Sequence, residues 1–187
     1  MTDTRSPLRS PPLPDAQDTR AWGARLGALL RPGDLVILTG GLGAGKTTLT
    51  QGLAEGLGVR GPVTSPTFVI ARVRPSLVGG PVLVHVDAYR LGGLEELDDL
   101  DLDADLDRAV TVVEWGRGVA DDLSEDALEV VLEGEATRVA TVVPRGSRWS
   151  SETARAALAS LADAGGHAGG DAGRTEPGAD AGGEDGG

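Results

Sequence analysis

The sequence predicts an α/β domain built on a mixed β-sheet flanked by helices. Three observations carry this. Short apolar runs, as in strands buried on both faces, alternate with segments of helical period. The first such run, 35–38, feeds directly into the glycine-rich stretch TGGLGAGKTT at 39–48. Near the end, two β-rich runs at 128–132 and 138–143 flank Gly134-Glu135, the pattern of a hairpin at a sheet edge.

Taken in order, residues 1–12 are rich in Pro, Ser and Arg and are expected to be flexible. Trp22, Leu26, Leu29 and Leu30 then mark one face of a helix, which Arg31-Pro32-Gly33-Asp34 stops. The strand 35–38 and the glycine loop follow. Leu49, Leu53 and Leu57 recur every four residues on a second helix, 46–57, ended by Gly58. Strands are expected at 67–70, at 82–86 after the turn-rich segment 75–81, and at 110–113. After the hairpin, Ala154, Leu158 and Leu161 predict a short helix within 151–163. No internal repeat is present. The folded unit is therefore a single domain over 13–150, followed by the short helix. The last segment, 164–187, is an acidic Gly/Ala-rich tail. From 165 onward it has no Leu, Ile, Val or aromatic residue, so nothing in it offsets the entropy of ordering a chain.

The 187 residues suffice for a domain with a real core. Aromatics are only 3% of the chain, so Leu, Val and Ala must fill that core. A formal charge of −12 is a poor match for coating nucleic acid or anionic lipid directly. There is no cysteine, which excludes disulfides, cysteine zinc sites and a thiol nucleophile. The N-terminus lacks the apolar core of a signal peptide, and no apolar run approaches the roughly 18 residues of a membrane span. The expectation is a cytoplasmic protein with no membrane partner.

Of the 17 basic residues, one is lysine, and it is Lys46. Gly40 to Thr47 fits G-x-x-x-x-G-K-[ST] without a mismatch. In that pattern glycines let the backbone wrap closely, so that amide N–H groups face phosphate oxygens. The following helix adds the partial positive charge of its N-terminus. Lys46 reaches the β- and γ-phosphates and Thr47 gives its hydroxyl to Mg²⁺. Because glycine is abundant (29 residues), the glycine spacing alone says little. The placement of the single lysine, between a strand and a helix, is the specific signal. It makes the fold P-loop NTPase-like.

In open α/β sheets ligands sit at the carboxyl ends of strands. Asp87 follows one apolar run, in HVDAYRL, and Glu114 follows another, in VVEWG. One acid would hold the metal or its water shell, and the other would orient or deprotonate a water. Each has a plainer reading: Asp87 as a helix cap or turn residue, Glu114 as a surface acid. His85 shares a sheet face with Asp87 and is read either as a core or supporting residue or as a catalytic one. Trp115 either packs near the nucleotide or plugs the core. The acidic run 95–103 lacks EF-hand spacing and is read as a solvated, partly helical surface.

Together LTGGLGAGKTT, VTSPTF, HVDAYRL and VVEWG, in that order over about 13–145, resemble the TsaE family (older name YjeE). These are small bacterial ATPases of the threonylcarbamoyl modification of adenosine 37 in tRNA. The resemblance implies ATP and Mg²⁺ as cofactors. It places the nucleotide on Gly41, Leu42, Gly43, Ala44, Gly45, Lys46, Thr47 and Thr48, with Thr47 and Glu114 on the metal. It implies Asp87 beside the γ-phosphate, so that Asp87, Lys46 and Glu114 are the catalytic set. Thr64-Ser65-Pro66-Thr67 matches a mobile switch segment. Thr19, expected just before the first helix, and Glu135, in the hairpin turn, would edge the adenine. The partners implied are TsaD, the transferase, and TsaB, its scaffold, with tRNA reached only through that complex. Threonylcarbamoyl-AMP would come from a separate enzyme, and hydrolysis here would let the assembly turn over. The chain departs from the family in having Gly41 where many members have Asp, in its very acidic 98–107 segment, and in the tail beyond 150.

Two other functions share the loop. A small-molecule or nucleoside kinase would need an arginine lid, for which Arg72 and Arg74 are thin candidates. A non-catalytic ATP sensor would keep the loop without turnover. The absence of an N-K-x-D signature points toward adenine rather than guanine.

Overall fold

A computed structural model describes residues 6–59, 63–64, 71–90, 107–118, 120–121 and 123–163. The expected strand at 67–70, the segment 65–67 of the expected switch, the acidic run 95–103 and the tail from 164 lie outside the described residues.

The described chain runs β1 (Leu8–Arg9), α1 (Ala16–Gly27), β2 (Leu35–Thr39), α2 (Lys46–Gly56), β3 (Ala71–Arg74) and β4 (Val82–Asp87). A 3₁₀ turn (Ala88–Arg90) follows, then β5 (Ala109–Glu114), β6 (Ala127–Glu133), β7 (Val139–Arg145) and α3 (Glu152–Asp163). The strands form one sheet in the order β1-β7-β6-β2-β5-β4-β3. Its centre, β6-β2-β5-β4, is parallel, and β7, β1 and β3 add antiparallel margins. This is the mixed α/β sheet expected. Among the described residues no helix is long and apolar enough to cross a membrane.

The central strands read as continuous apolar runs because both of their faces are buried. On β2, Val36 and Leu38 join a core with Trp22 and Leu26 of α1, Leu49 and Leu53 of α2, and Leu158 and Leu161 of α3. The alternate residues Leu35 and Ile37 pack on the other face with Val84, Val86, Val113 and Ala127.

Helix α1 starts where Asp15 caps it, its carboxylate accepting from the Asp18 N–H at 2.8 Å. It ends at Gly27, one turn earlier than the apolar spacing suggested. Leu29 and Leu30 sit in the following turn, where Leu30 is nevertheless buried. Burial, not helical phase, accounts for that part of the pattern.

Helices α1 and α2 pack backbone to backbone. A Cβ on Gly23 would lie 2.7 Å from the Leu49 carbonyl oxygen, and one on Gly27 2.4 Å from that of Leu53. From the other side, a Cβ on Gly52 or Gly56 would lie 2.1 Å from the carbonyls of Arg20 and Ala24. Four glycines therefore set the distance between the helices, and α1 fixes the position of the helix that begins at the glycine loop.

Two expectations need correction. The first twelve residues are not all unpaired, because Leu8 and Arg9 pair with Val142 and Thr141. Ser10 and Leu13 are buried behind them. The apolar residues in this Pro-rich stretch find an open strand edge, which composition alone does not reveal. For the same reason the β6–β7 hairpin is not the sheet edge: β6 is bonded to β2, and β1 covers part of β7.

Candidate functional site

Strand β2 is the middle of three parallel neighbours, and it delivers the glycine loop at the carboxyl edge of the sheet. The loop turns on Gly40, Gly43 and Gly45, whose φ values are 150°, 77° and 102°. Gly45 matters most, since it is the left-handed residue from which α2 starts. At Gly40 a side chain would also strike the Leu132 carbonyl, at 2.6 Å. Gly41 is different: its φ is ordinary and a Cβ there meets nothing within 4 Å. The glycine found where many TsaE members have Asp is thus compatible with the same loop.

Lys46 is the first residue of α2 and is buried. Its ammonium donates to the carbonyls of Gly40 (2.8 Å) and Gly41 (2.9 Å) and lies 3.7 Å from the centre of the Trp115 ring. Burial pushes its pKa below the ordinary amine value, and the carboxylates of Glu114 and, less so, Asp87 oppose that shift.

Asp87 and Glu114 are the last residues of β4 and β5 and lie opposite each other in the parallel register. Glu114 is only 3% exposed, so it is not a surface acid. Thr47 Oγ1 donates toward its two oxygens at 3.2 and 3.3 Å, and Thr50 Oγ1 lies 3.4 Å from Oε1. The His85 Nε2 sits 2.9 Å from the same Oε1. His85 is therefore a buried neighbour of the acid rather than a group facing the cavity. Asp87 does act as a turn residue. It accepts the Tyr89 N–H at 3.1 Å, closing the turn, and it also lines the cavity.

That cavity, about 470 Å³, is lined by Gly43, Gly45, Lys46, Thr47, Thr48, Asp87 and Glu114, with Leu42, Tyr89 and Trp115 as its apolar wall. Trp115 thus faces the site rather than plugging the core. It is the single non-glycine residue with positive φ (62°) among the described residues. Its N–H bonds the Leu38 carbonyl at 2.9 Å and its ring packs 5.1 Å from that of Tyr89. Such strain at a cavity wall is held by its surroundings.

The residues present fit a magnesium nucleotide. Inward-turning glycines, a buried ammonium and a helix N-terminus suit phosphate. Thr47 and Glu114 offer the hard oxygen donors that magnesium takes, few in number because phosphate and water supply the rest. Among the described residues no three His, Asp or Glu side chains form a metal cluster.

Thr19 and Glu135, the residues expected at the adenine, both lie beside the glycine loop. Thr19 is inside α1, not before it, and is buried, its hydroxyl donating to the Asp15 carbonyl at 3.0 Å. Its methyl lies against Gly45, where a Cβ would meet it at 3.8 Å, so it packs under the loop. Ala44 lies beside a second cavity of about 590 Å³ on the far side of the loop, lined also by Leu132 and Gly134 and by Glu135. Glu135 therefore borders the loop but not the cavity of Asp87 and Glu114. Arg138, in the same wall, was not anticipated. Its guanidinium donates to the carbonyls of Ala44 (3.2 Å) and Gly43 (3.3 Å), bracing the loop from outside. Nothing in its sequence neighbourhood signals this; only the return of β7 past the loop brings it there. Of the arginines considered for a kinase lid, Arg72 and Arg74 belong to β3, and Arg72 reaches Thr64 Oγ1 at 3.4 Å.

Comparison with known proteins adds the following. Residues 13–141 match the family model described as threonylcarbamoyl adenosine biosynthesis protein TsaE. The tRNA threonylcarbamoyladenosine biosynthesis protein TsaE of Streptomyces coelicolor is 60% identical over 139 residues, which is 71% of this chain and 94% of that protein. The protein of the same name from Mycobacterium tuberculosis H37Rv is 53% identical, over 69% of this chain and 83% of that one. The crystal structure of Bacillus subtilis YdiB superposes with a TM-score of 0.66 at 30% identity, covering 85% of this chain and 98% of the other. With a matching family model over most of the folded region and relatives this similar, the chain belongs to the TsaE family.

Proposed function

We propose that this chain is a magnesium-dependent ATPase of the cytoplasm, accessory to the threonylcarbamoyl modification of adenosine 37 in tRNA and acting with TsaD and TsaB proteins. One observation carries the reading: the glycine loop with Lys46 and Thr47 converges with two strand-end acids, Asp87 and Glu114, in a single cavity. The names of the relatives support the pathway. A charge of −12 supports reaching tRNA through partners rather than directly.

The residues divide the work as follows. The loop amides and the start of α2 bind the phosphates. Lys46 leaves the Gly40 and Gly41 carbonyls and turns its ammonium to the β- and γ-phosphates. Thr47 and Glu114 hold the metal. When bound, magnesium neutralises charge on the phosphate oxygens. Asp87, opposite Glu114 in the register, orients the attacking water and takes up its proton. Trp115 and Tyr89 form an apolar wall beside it.

The test is steady-state phosphate release at saturating Mg·ATP, with and without TsaB and TsaD, paired with retention of the chain on TsaB–TsaD. Slow release alone, stimulation by the pair and retention that depends on nucleotide are expected. The accessory reading fails if the isolated chain already turns over at roughly 1–10 per second and the pair adds nothing. A requirement for a phosphoryl acceptor would favour a kinase, and binding without turnover a sensor.

A further inference from the structure

The Glu114 carboxylate is buried, yet among the described residues its hydrogen-bond partners are Thr47, Thr50 and His85, with no arginine or lysine bonded to it. Its hydroxyl contacts are long, at 3.2 to 3.4 Å. Thr50 has one hydroxyl hydrogen, and its better acceptor is the Lys46 carbonyl at 3.0 Å. Thr47 likewise has one hydroxyl hydrogen, spread over both carboxylate oxygens at 3.2 and 3.3 Å, and its lone pairs stay free for a cation. The one short contact left is His85 Nε2 at 2.9 Å.

His85 is fully buried on β4, opposite Val112 in the register, two residues before Glu114. It is therefore a diagonal neighbour of Glu114 on the same face. Its Nδ1 has no hydrogen-bond partner among the described residues. Among the described residues the ring's one polar contact is thus Glu114, and the tautomer that donates to it carries the proton on Nε2. An imidazole with half its polar capacity unmet packs at a cost that an apolar residue of similar size would avoid. The polar edge that is used points at the candidate metal ligand.

We propose that His85 is a positioning residue for the metal site. Its Nε2–H holds Glu114 Oε1, which fixes the carboxylate plane and leaves Oε2 beside Thr47 for the cation. This rests on the magnesium–nucleotide reading above. It assigns His85 no contact with substrate and no proton transfer.

Manganese serves as the probe, followed by electron paramagnetic resonance of free Mn²⁺ on the full chain with the β,γ-imido analogue of ATP. Nucleotide affinity without metal is measured alongside. His85→Leu is expected to weaken Mn²⁺ binding roughly 10–100-fold, the usual effect of losing a partner behind a metal ligand. Metal-free nucleotide affinity should change little. His85→Gln, whose amide nitrogen reaches about as far as Nε2, should restore metal binding, whereas the shorter His85→Asn should not. The Gln/Asn pair reads the same interaction if the Leu variant does not fold. Equal Mn²⁺ affinity in wild type, Leu and Asn variants overturns the proposal, as does a Gln variant as weak as Asn, which would mean that ring shape matters and the donor does not. Wild type that takes up no Mn²⁺ with nucleotide would overturn the magnesium reading itself, a result distinct from either.

Discussion

Two buried carboxylates sit at opposite ends of the sheet and are treated in opposite ways. Asp34 lies just before β2, at the amino end of the parallel strands. It accepts the Arg31 N–H at 2.8 Å and pairs with Arg148, whose Nε is 3.2 Å away. Arg148 in turn stacks on the buried Trp149, 4.1 Å from its ring centre. Every partner is fixed, and the cluster closes the turn into β2. Glu114, at the carboxyl end, is held by a histidine and by hydroxyls that can rotate away. A buried acid paired to arginine is part of the scaffold, whereas one surrounded by exchangeable donors is available to a cation.

The contrast predicts that substitutions at the two ends separate function from stability. The largest effect is expected at Lys46, the cation of the Glu114 end. Lys46→Ala should abolish phosphate release and weaken nucleotide binding by about 1.5–3 kcal/mol, the worth of a charge-assisted contact. Its melting temperature should hold, since the lost charge was one that burial disfavoured. Unchanged turnover would remove Lys46 from the site.

Next comes Glu114→Gln. Metal-dependent turnover should fall about 100-fold or more with stability almost unchanged. A large loss of stability without loss of metal dependence would make Glu114 a second Asp34.

Asp34→Ala should do the reverse, costing about 1–3 kcal/mol by orphaning the Arg31 N–H and the Arg148 guanidinium while leaving nucleotide affinity intact. This loss has a sign in pH. Burial raises the Asp34 pKa above 3.8, against the pull of Arg31 and Arg148. The folded state therefore holds the proton more tightly than the unfolded one. Wild type should exceed Asp34→Ala by most at and below pH 3.8, and the gap should narrow as pH rises through the folded pKa. Denaturant titrations of both proteins at several pH values would measure it, and a gap that widens with pH would refute the assignment.

The smallest effect is expected at Arg138. Its two bonds to loop carbonyls are long, so Arg138→Ala should weaken nucleotide binding by about 0.5–1.5 kcal/mol with no change in metal affinity. Nucleotide titration with and without Mg²⁺ would show it. An effect as large as that of Lys46→Ala would mean that the arginine touches the ligand.

The parts of the site that were legible share a property: their role depends on local chain geometry. A lone lysine after a left-handed glycine at a helix start, and acids closing apolar runs, can be found by spacing alone. Arg138 and His85 were not legible in the same way. Arg138 meets the loop across 94 residues of chain, and His85 meets Glu114 across 29. No spacing rule connects them. Thr19 was misplaced for a related reason, because the capping residue that starts α1 is Asp15, four positions earlier.

By itself the sequence determined the alternating elements, the phosphate-type loop, the two acids at strand ends and the lack of any thiol chemistry, since each follows from local periodicity, side-chain type or count. Tertiary structure decided the strand order, which puts β2 beside β5 and so brings Thr47 to Glu114. It decided the close α1–α2 packing on four glycines, whose absent side chains leave no hydrophobic period to read. It also decided that Leu8 and Arg9 cover part of a sheet edge. These features depend on which surfaces meet, and contact between distant segments is settled by the fit of whole faces and by backbone hydrogen bonding across them, not by the residues within reach along the chain.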